Sequence, residues 1–119
     1  MTDEKKYDLE ERTYKFARDV YKICKKIKSK YFGFEYINQV IRSSASIGSN
    51  YIEANESLSK KDFIYRTKIC RKEAKETEYW LRLLLETAEK KNSELETLYK
   101  ESIELKKIFS AIINKTTLK

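Results

Sequence analysis

The chain has 119 residues, 38% of them charged, and its 26 Lys and Arg against 19 Asp and Glu leave a net charge of +7. It has no histidine, no proline and only two glycines, Gly33 and Gly48. The missing histidine excludes an imidazole general base, a His metal ligand and a Ser-His-Asp triad, and so few turn residues exclude a β-rich fold. The length suits one domain, residues 1–119, with a single core that needs no disulfide or metal. The abundance of Leu, Ile, Lys, Glu and Ala predicts that this domain is all-α.

The opening MTDEKKYDLE holds no apolar leader segment, and no run approaches the ~18 apolar residues of a membrane span. A cytoplasmic protein without a membrane partner is therefore expected. In the first helix Asp8 and Glu11 have capping-box spacing, and Leu9, Thr13, Phe16, Val20, Ile23 and Ile27 follow at 4-3-4-3-4 spacing. This predicts a helix over about 8–30, closed by Lys25, Lys26, Lys28 and Lys30 and then by Gly33.

A second helix is predicted over about 34–56, with Ile37, Ile41, Ser44, Gly48 and Tyr51 as its core line. From Gln39 to Asn55 it carries two charges in 17 residues, Arg42 and Glu53. A helix without a charged face has no obvious side for water, which predicts contact with its own bundle and with other subunits. Gly48 inside a helix costs about 1 kcal/mol relative to Ala, and close approach of another helix is the expected compensation.

The third helix, about 60–91, opens at Ser59 with Asp62 as capping partner. Its core line runs Phe63, Thr67, Cys70, Ala74, Thr77, Leu81, Leu84 and Ala88. The fourth, about 94–114, opens at Ser93 with Glu96 and repeats Leu95, Leu98, Ser102, Leu105, Phe109 and Ile112, with a frayed tail over Lys115–Lys119. Short connections around Tyr31–Gly33, Ser57–Ser59 and Lys91–Ser93 force neighbouring helices to run in opposite directions. The expected fold is an antiparallel up-down-up-down four-helix bundle.

Projection of the third helix at 100° per residue separates its surface into stripes. Opposite the core lie Lys61, Lys68, Lys72, Lys75 and Tyr79, with Lys60 and Arg71 beside them. Between Lys60 and Lys75 the local charge is +5, from seven basic and two acidic residues. Lysines with an aromatic among them fit phosphate contact plus base stacking, whereas the plainer reading is a solvated helix face. Another stripe, Tyr65, Ile69, Glu76, Trp80 and Leu83, is too apolar for solvent and points away from the predicted core. With Gln39, Arg42, Ser46, Asn50 and Glu53 of the second helix it forms the candidate oligomer interface. Arg42 and Glu53 are expected to meet charged residues of the third helix such as Glu73, Glu76 or Lys72.

No pattern in the chain points to catalysis. There is no CxxC pair, and Cys24 and Cys70 fall on apolar stripes as reduced core thiols. The glycines form no phosphate-binding loop. Glu73 and Glu76 share a helix face, but di-iron carboxylate bundles also need a Glu-x-x-His spacing. No catalytic residue, metal or cofactor is expected.

The segments IRSSASIGSNYIEA (Ile41–Ala54) and KEAKETEYWLRLL (Lys72–Leu84), with Asp62–Phe63 between them, closely match two specific motifs, R-S-x-x-S-I-G-x-N-Y-x-E-A and K-E-A-x-E-T-x-Y-W-L. In them the chain resembles the bacterial four-helix-bundle proteins related to the 23S rRNA intervening-sequence protein, the S23 ribosomal protein-like family, over Phe16 to Leu85. Many relatives have proline where Gly48 stands and glycine where Asn55 stands. The resemblance implies an antiparallel four-helix bundle that assembles as a ring-like homopentamer, with no established enzymatic activity. It further implies kinship with basic accessory proteins of diversity-generating retroelements, which associate with nucleic acid and a reverse transcriptase. The leading expectation is a non-enzymatic, oligomeric bundle that binds RNA or other nucleic acid through basic helix faces. The alternative is a protein-interaction scaffold or accessory subunit without nucleic-acid affinity, its partner a protein and its lysines only solubilising.

Overall fold

Apolar residues recurring every three or four positions give each segment one greasy stripe, and four such stripes meet in a single core. The computed structural model describes residues 3–27 and 33–118, with side chains in the first two helices described from residues 8 and 35 onward. Four helices follow in order: α1 (Asp3–Lys26), α2 (Gly33–Asn55), α3 (Lys60–Thr87) and α4 (Ser93–Thr117). No strand occurs among the described residues. The 28 residues of α3 alone account for about 42 Å at 1.5 Å per residue, close to the 48 Å long axis of the bundle.

The ends differ from expectation in instructive ways. Helix α1 begins five residues before Asp8, which therefore sits inside the helix and caps nothing. Gly33 opens α2 rather than closing α1; Lys28, Lys30 and the connection at Tyr31 and Phe32 lie outside the described residues. Ser59 does cap α3, its hydroxyl accepting from the Asp62 amide at 3.1 Å. That helix stops at Thr87, with Ala88 extended and exposed rather than in the core. The cap of α4 is Asn92, which accepts from the Leu95 amide at 3.0 Å, so Ser93 is the first helical residue. The fourth helix continues to Thr117, past the point where fraying was expected.

Cross-helix contacts fix the directions. Between α1 and α2, Glu10 meets Asn55 while Thr13 meets Gly48. Between α2 and α3, Arg42 reaches Glu76 while Asn50 reaches Arg66. Between α1 and α4, Arg12 pairs with Glu101 while Lys26 pairs with Glu94. In each pair a higher number on one helix meets a lower number on the other, so these neighbours are antiparallel. Packing is most extensive between α2 and α3 and slightest between α1 and α4.

The core holds Val20, Val40, Ile47, Tyr51, Cys70, Leu81, Leu105 and Phe109 with essentially no exposure. Tyr51 and Phe109 meet edge to face with ring centroids 5.7 Å apart and join α2 to α4 across the centre. The α2 core line is shifted from expectation. Val40, Ser43, Ser44, Ile47, Tyr51 and Ala54 are buried, whereas Ile37 and Ile41 are only partly covered. In α4, Ile113 is buried in place of Ile112. No described helix is long and apolar enough to cross a membrane.

Hydroxyls are buried in the core at Thr13, Ser43, Ser44, Thr67, Thr77 and Ser102. Each can donate to a carbonyl three or four residues back in its own helix, as Thr13 does to Leu9 and Thr67 to Phe63, so none carries an uncompensated desolvation cost. The Thr77 and Ser43 hydroxyl oxygens also lie 2.8 Å apart across α2 and α3, so one can donate to the other. Small groups here let the helices approach closely, most of all at Gly48, where an added Cβ would sit 3.0 Å from Thr13 Oγ1. We expect Gly48→Leu to wedge α1 from α2 and lower stability by about 1–3 kcal/mol in denaturant melts. Gly48→Ala should change it far less, because about 1 kcal/mol of helix propensity offsets the contact. An unchanged midpoint for the Leu variant would show that close approach at Gly48 is not required.

Candidate functional site

The lysine stripe of α3 is open to solvent as its periodicity requires: Lys60, Lys61, Lys68, Lys72, Lys75 and Tyr79 are all exposed, with Arg71 half-buried at the edge. Because α4 runs antiparallel beside α3, Lys106 and Lys107 come alongside it. Together Lys68, Arg71, Lys72, Lys75, Lys106 and Lys107 line one groove, whose other walls are Ser110, Ala111 and Asn114. Among the described residues, six cations and no carboxylate line this furrow. Lys106 is held by Glu78 at 2.6 Å and Lys107 by Glu104 at 3.7 Å. Among the described residues, Lys68, Arg71, Lys72 and Lys75 make no ion pair. Unpaired like charges so close together repel one another, and a polyanion relieves that repulsion. Lys60 and Lys61 extend the positive face along the first turn of α3, outside the groove lining.

The groove on the other flank of α4 has the opposite character. Between α1 and α4, Asp8, Glu11, Asp19, Glu101 and Glu104 face Arg12, Lys15 and Lys100. Arg12 spans the gap to Glu101 with two bonds of 2.7 and 2.8 Å, the strong fork-to-fork form of ion pair. The two grooves flanking α4 therefore differ in sign: the α1–α4 one mixes acidic and basic groups, and the α3–α4 one is lined by cations.

The candidate interface residues of α2 do not all point outward. Gln39, Arg42, Ser46 and Asn50 flank α3, because the core line of α2 is rotated from the expected one. Arg42 bonds Gln39 at 3.4 Å and Glu76 at 3.1 Å and lies 3.7 Å from Glu73. Asn50 donates to the Ser46 carbonyl at 2.8 Å and accepts from Arg66 at 3.3 Å. Glu53 is exposed and makes no ion pair among the described residues, so its expected link to the third helix is absent. On α3, Tyr65 is 62% exposed, while Ile69, Glu76, Trp80 and Leu83 are half-buried. Trp80 does not point away from the bundle: it packs on the core edge and against Tyr36, ring centroids 5.8 Å apart.

Glu73, expected as a partner of Arg42, does lie beside it, but is only 7% exposed, a burial that periodicity did not indicate. At 3.7 Å Arg42 supplies charge but no hydrogen bond, and Glu73 Oε2 is left without a hydrogen-bond partner. Burial pushes this carboxyl above its ordinary range, Glu76 adds to the effect, and Arg42 and Lys72 oppose it. Lys106 and Lys107 were also missed, having no signal within their own helix.

Both thiols are buried and free. Desolvation pushes Cys24 up to about 11 and Cys70 up to about 12, which keeps them protonated and weakly nucleophilic at neutral pH. No group of three or more His, Cys, Asp or Glu among the described residues is placed to hold a metal ion. Glu73 and Glu76 instead converge on Arg42.

Residues 5–111 match the family model described as 23S rRNA-intervening sequence protein. Among solved structures, the chain is similar to a protein of unknown function from the S23 ribosomal protein family of Bacteroides thetaiotaomicron VPI-5482. The TM-score is 0.79 and the identity 35%, and the match covers 87% of this chain and 96% of that one. No curated protein matches the chain. With the match spanning all four helices, the chain belongs to the 23S rRNA-intervening sequence protein family.

Proposed function

We propose that this protein is a non-enzymatic, cytoplasmic bundle that binds RNA or other nucleic acid through the groove between α3 and α4. The observation that carries this reading is the row of four cations, Lys68, Arg71, Lys72 and Lys75, that form no ion pair among the described residues and share a furrow in which no described carboxylate takes part. Counterion release makes such a surface favour polyanions strongly, with little dependence on sequence. The shielded thiols and the absence of histidine support a role in binding rather than catalysis. If all four cations contact phosphates, log K should fall with log salt with a slope of about −3 for a single strand. Changing Lys68, Lys72 and Lys75 together to Glu is expected to abolish binding in a low-salt titration while helicity by circular dichroism stays intact. Unchanged affinity in that variant, or no affinity in the parent protein, would sink the proposal and favour the scaffold alternative.

A second reading is favoured by the edge of the α2–α3 seam. There Tyr65, Ile69, Trp80 and Leu83 leave apolar surface open beside the Arg42, Glu76 and Asn50 contacts. We propose that copies of the chain assemble through this edge, the homopentamer implied by the resemblance being the expected form. Ile69→Glu should lower the mass measured by light scattering and leave helicity unchanged. A collapse of helicity would instead assign Ile69 to the subunit core.

A further inference from the structure

We infer that the groove takes single-stranded nucleic acid, with one unpaired base stacked on Tyr79; this rests on the nucleic-acid reading above. Three observations combine. The first is placement. Lys68, Lys72, Lys75 and Tyr79 follow one another along the exposed side of α3, with axial steps of about 6, 4.5 and 6 Å at 1.5 Å per residue. A backbone held by Lys72 and Lys75 brings its next base within reach of the Tyr79 ring.

The second observation is that Tyr79 is open yet held. Its side chain is 59% exposed, so a ring face is free for contact. Its ring also stands edge-on to Trp80, with centroids 5.2 Å apart and planes at 80°. Trp80 is itself fixed by Tyr36, at 5.8 Å and 33°. An aromatic already restrained by its neighbours loses less freedom on binding than a freely rotating one.

The third is the shape of the cationic surface. The groove follows the seam between α3 and α4, and a cationic groove of this kind tracks a single sugar-phosphate backbone. The cations line both of its walls, Lys68, Arg71, Lys72 and Lys75 on α3 and Lys106 and Lys107 on α4. In a duplex the base faces are covered by the base pairs above and below, so Tyr79 would have nothing to stack on. In a single strand every base offers a face, and stacking of this kind tolerates any sequence.

The test compares a short unstructured oligouridylate, an oligothymidylate of equal length and a long RNA duplex by fluorescence anisotropy at low salt. Tyr79→Ala is expected to weaken oligouridylate binding about tenfold and to leave the duplex affinity unchanged. Tyr79→Phe, which keeps the ring, should retain the parent affinity and controls for any loss of fold. Oligothymidylate should follow oligouridylate, since the ring reads a base face and not the 2′-hydroxyl; a response confined to RNA would overturn the stacking account. So would parent protein that binds duplex as tightly as single strand, or a Tyr79→Ala protein with undiminished oligouridylate affinity. In those cases loss of binding by the Lys68, Lys72 and Lys75 to Glu protein would still uphold the groove itself. If the parent protein binds none of the three, both the groove reading and the stacking inference fall.

Discussion

The arrangement of charge on this bundle depends on Arg42. It is one of only two charges in the long uncharged run of α2, and it gathers Glu76 at 3.1 Å and Glu73 at 3.7 Å on the α2 flank of α3. Glu76 lies four residues after Lys72, where it would otherwise be the natural intrahelical partner of that lysine. Glu78, three residues after Lys75, is taken by Lys106 of α4. The acidic residues in the middle of α3 are thereby engaged by its neighbours, and Lys68, Lys72 and Lys75 form no ion pair among the described residues. An exposed ion pair adds little stability on its own. The effect of Arg42 lies instead in which side of α3 is neutralised and which is left positive.

The low charge of α2 has its cause in the same geometry. The helix is gripped on two flanks, by Thr13 and Glu10 of α1 through Gly48 and Asn55, and by Thr77, Glu76 and Arg66 of α3 through Ser43, Arg42 and Asn50. Small residues allow that closeness, and charged ones would have to be desolvated without enough partners. Glu73 illustrates the cost, being a buried carboxyl with one oxygen unbonded and its proton affinity raised. Arg42, 3.7 Å away, partly offsets that cost.

Much of this was legible in the sequence. The 4-3 spacing of apolar residues located all four helices, and projection of α3 placed Lys61, Lys68, Lys72, Lys75 and Tyr79 on one exposed face. The phase of α2 was harder. Ser43, Ser44, Ser46, Gly48 and Ser49 look alike to a hydrophobic pattern, and anchoring it on Ile37 and Ile41 rotated the inferred core away from Val40 and Ile47. Where two capping residues stand together, as at Asn92 and Ser93, both chemistries are satisfactory and only the chain path selects one. Lys106 and Lys107 look like ordinary surface lysines of α4. Their role in the groove arises from antiparallel packing against α3, a tertiary fact with no local signature.

Family membership settles the bundle and leaves function to the surface, since a shared fold carries no chemistry of its own. Two surfaces here share α3 and are separated by about a quarter turn around its axis. Trp80 faces α2 and the apolar edge, whereas its neighbour Tyr79 joins the lysine row, and the two rings touch. Covering the apolar edge with another copy would further restrain Trp80 and, through it, the Tyr79 ring. The proposed assembly and the proposed nucleic-acid contact would then be linked by one aromatic contact without sharing a surface. For that reason a change at Trp80 would disturb both proposed faces together, whereas Ile69 would report on the apolar edge and the lysine row on the groove.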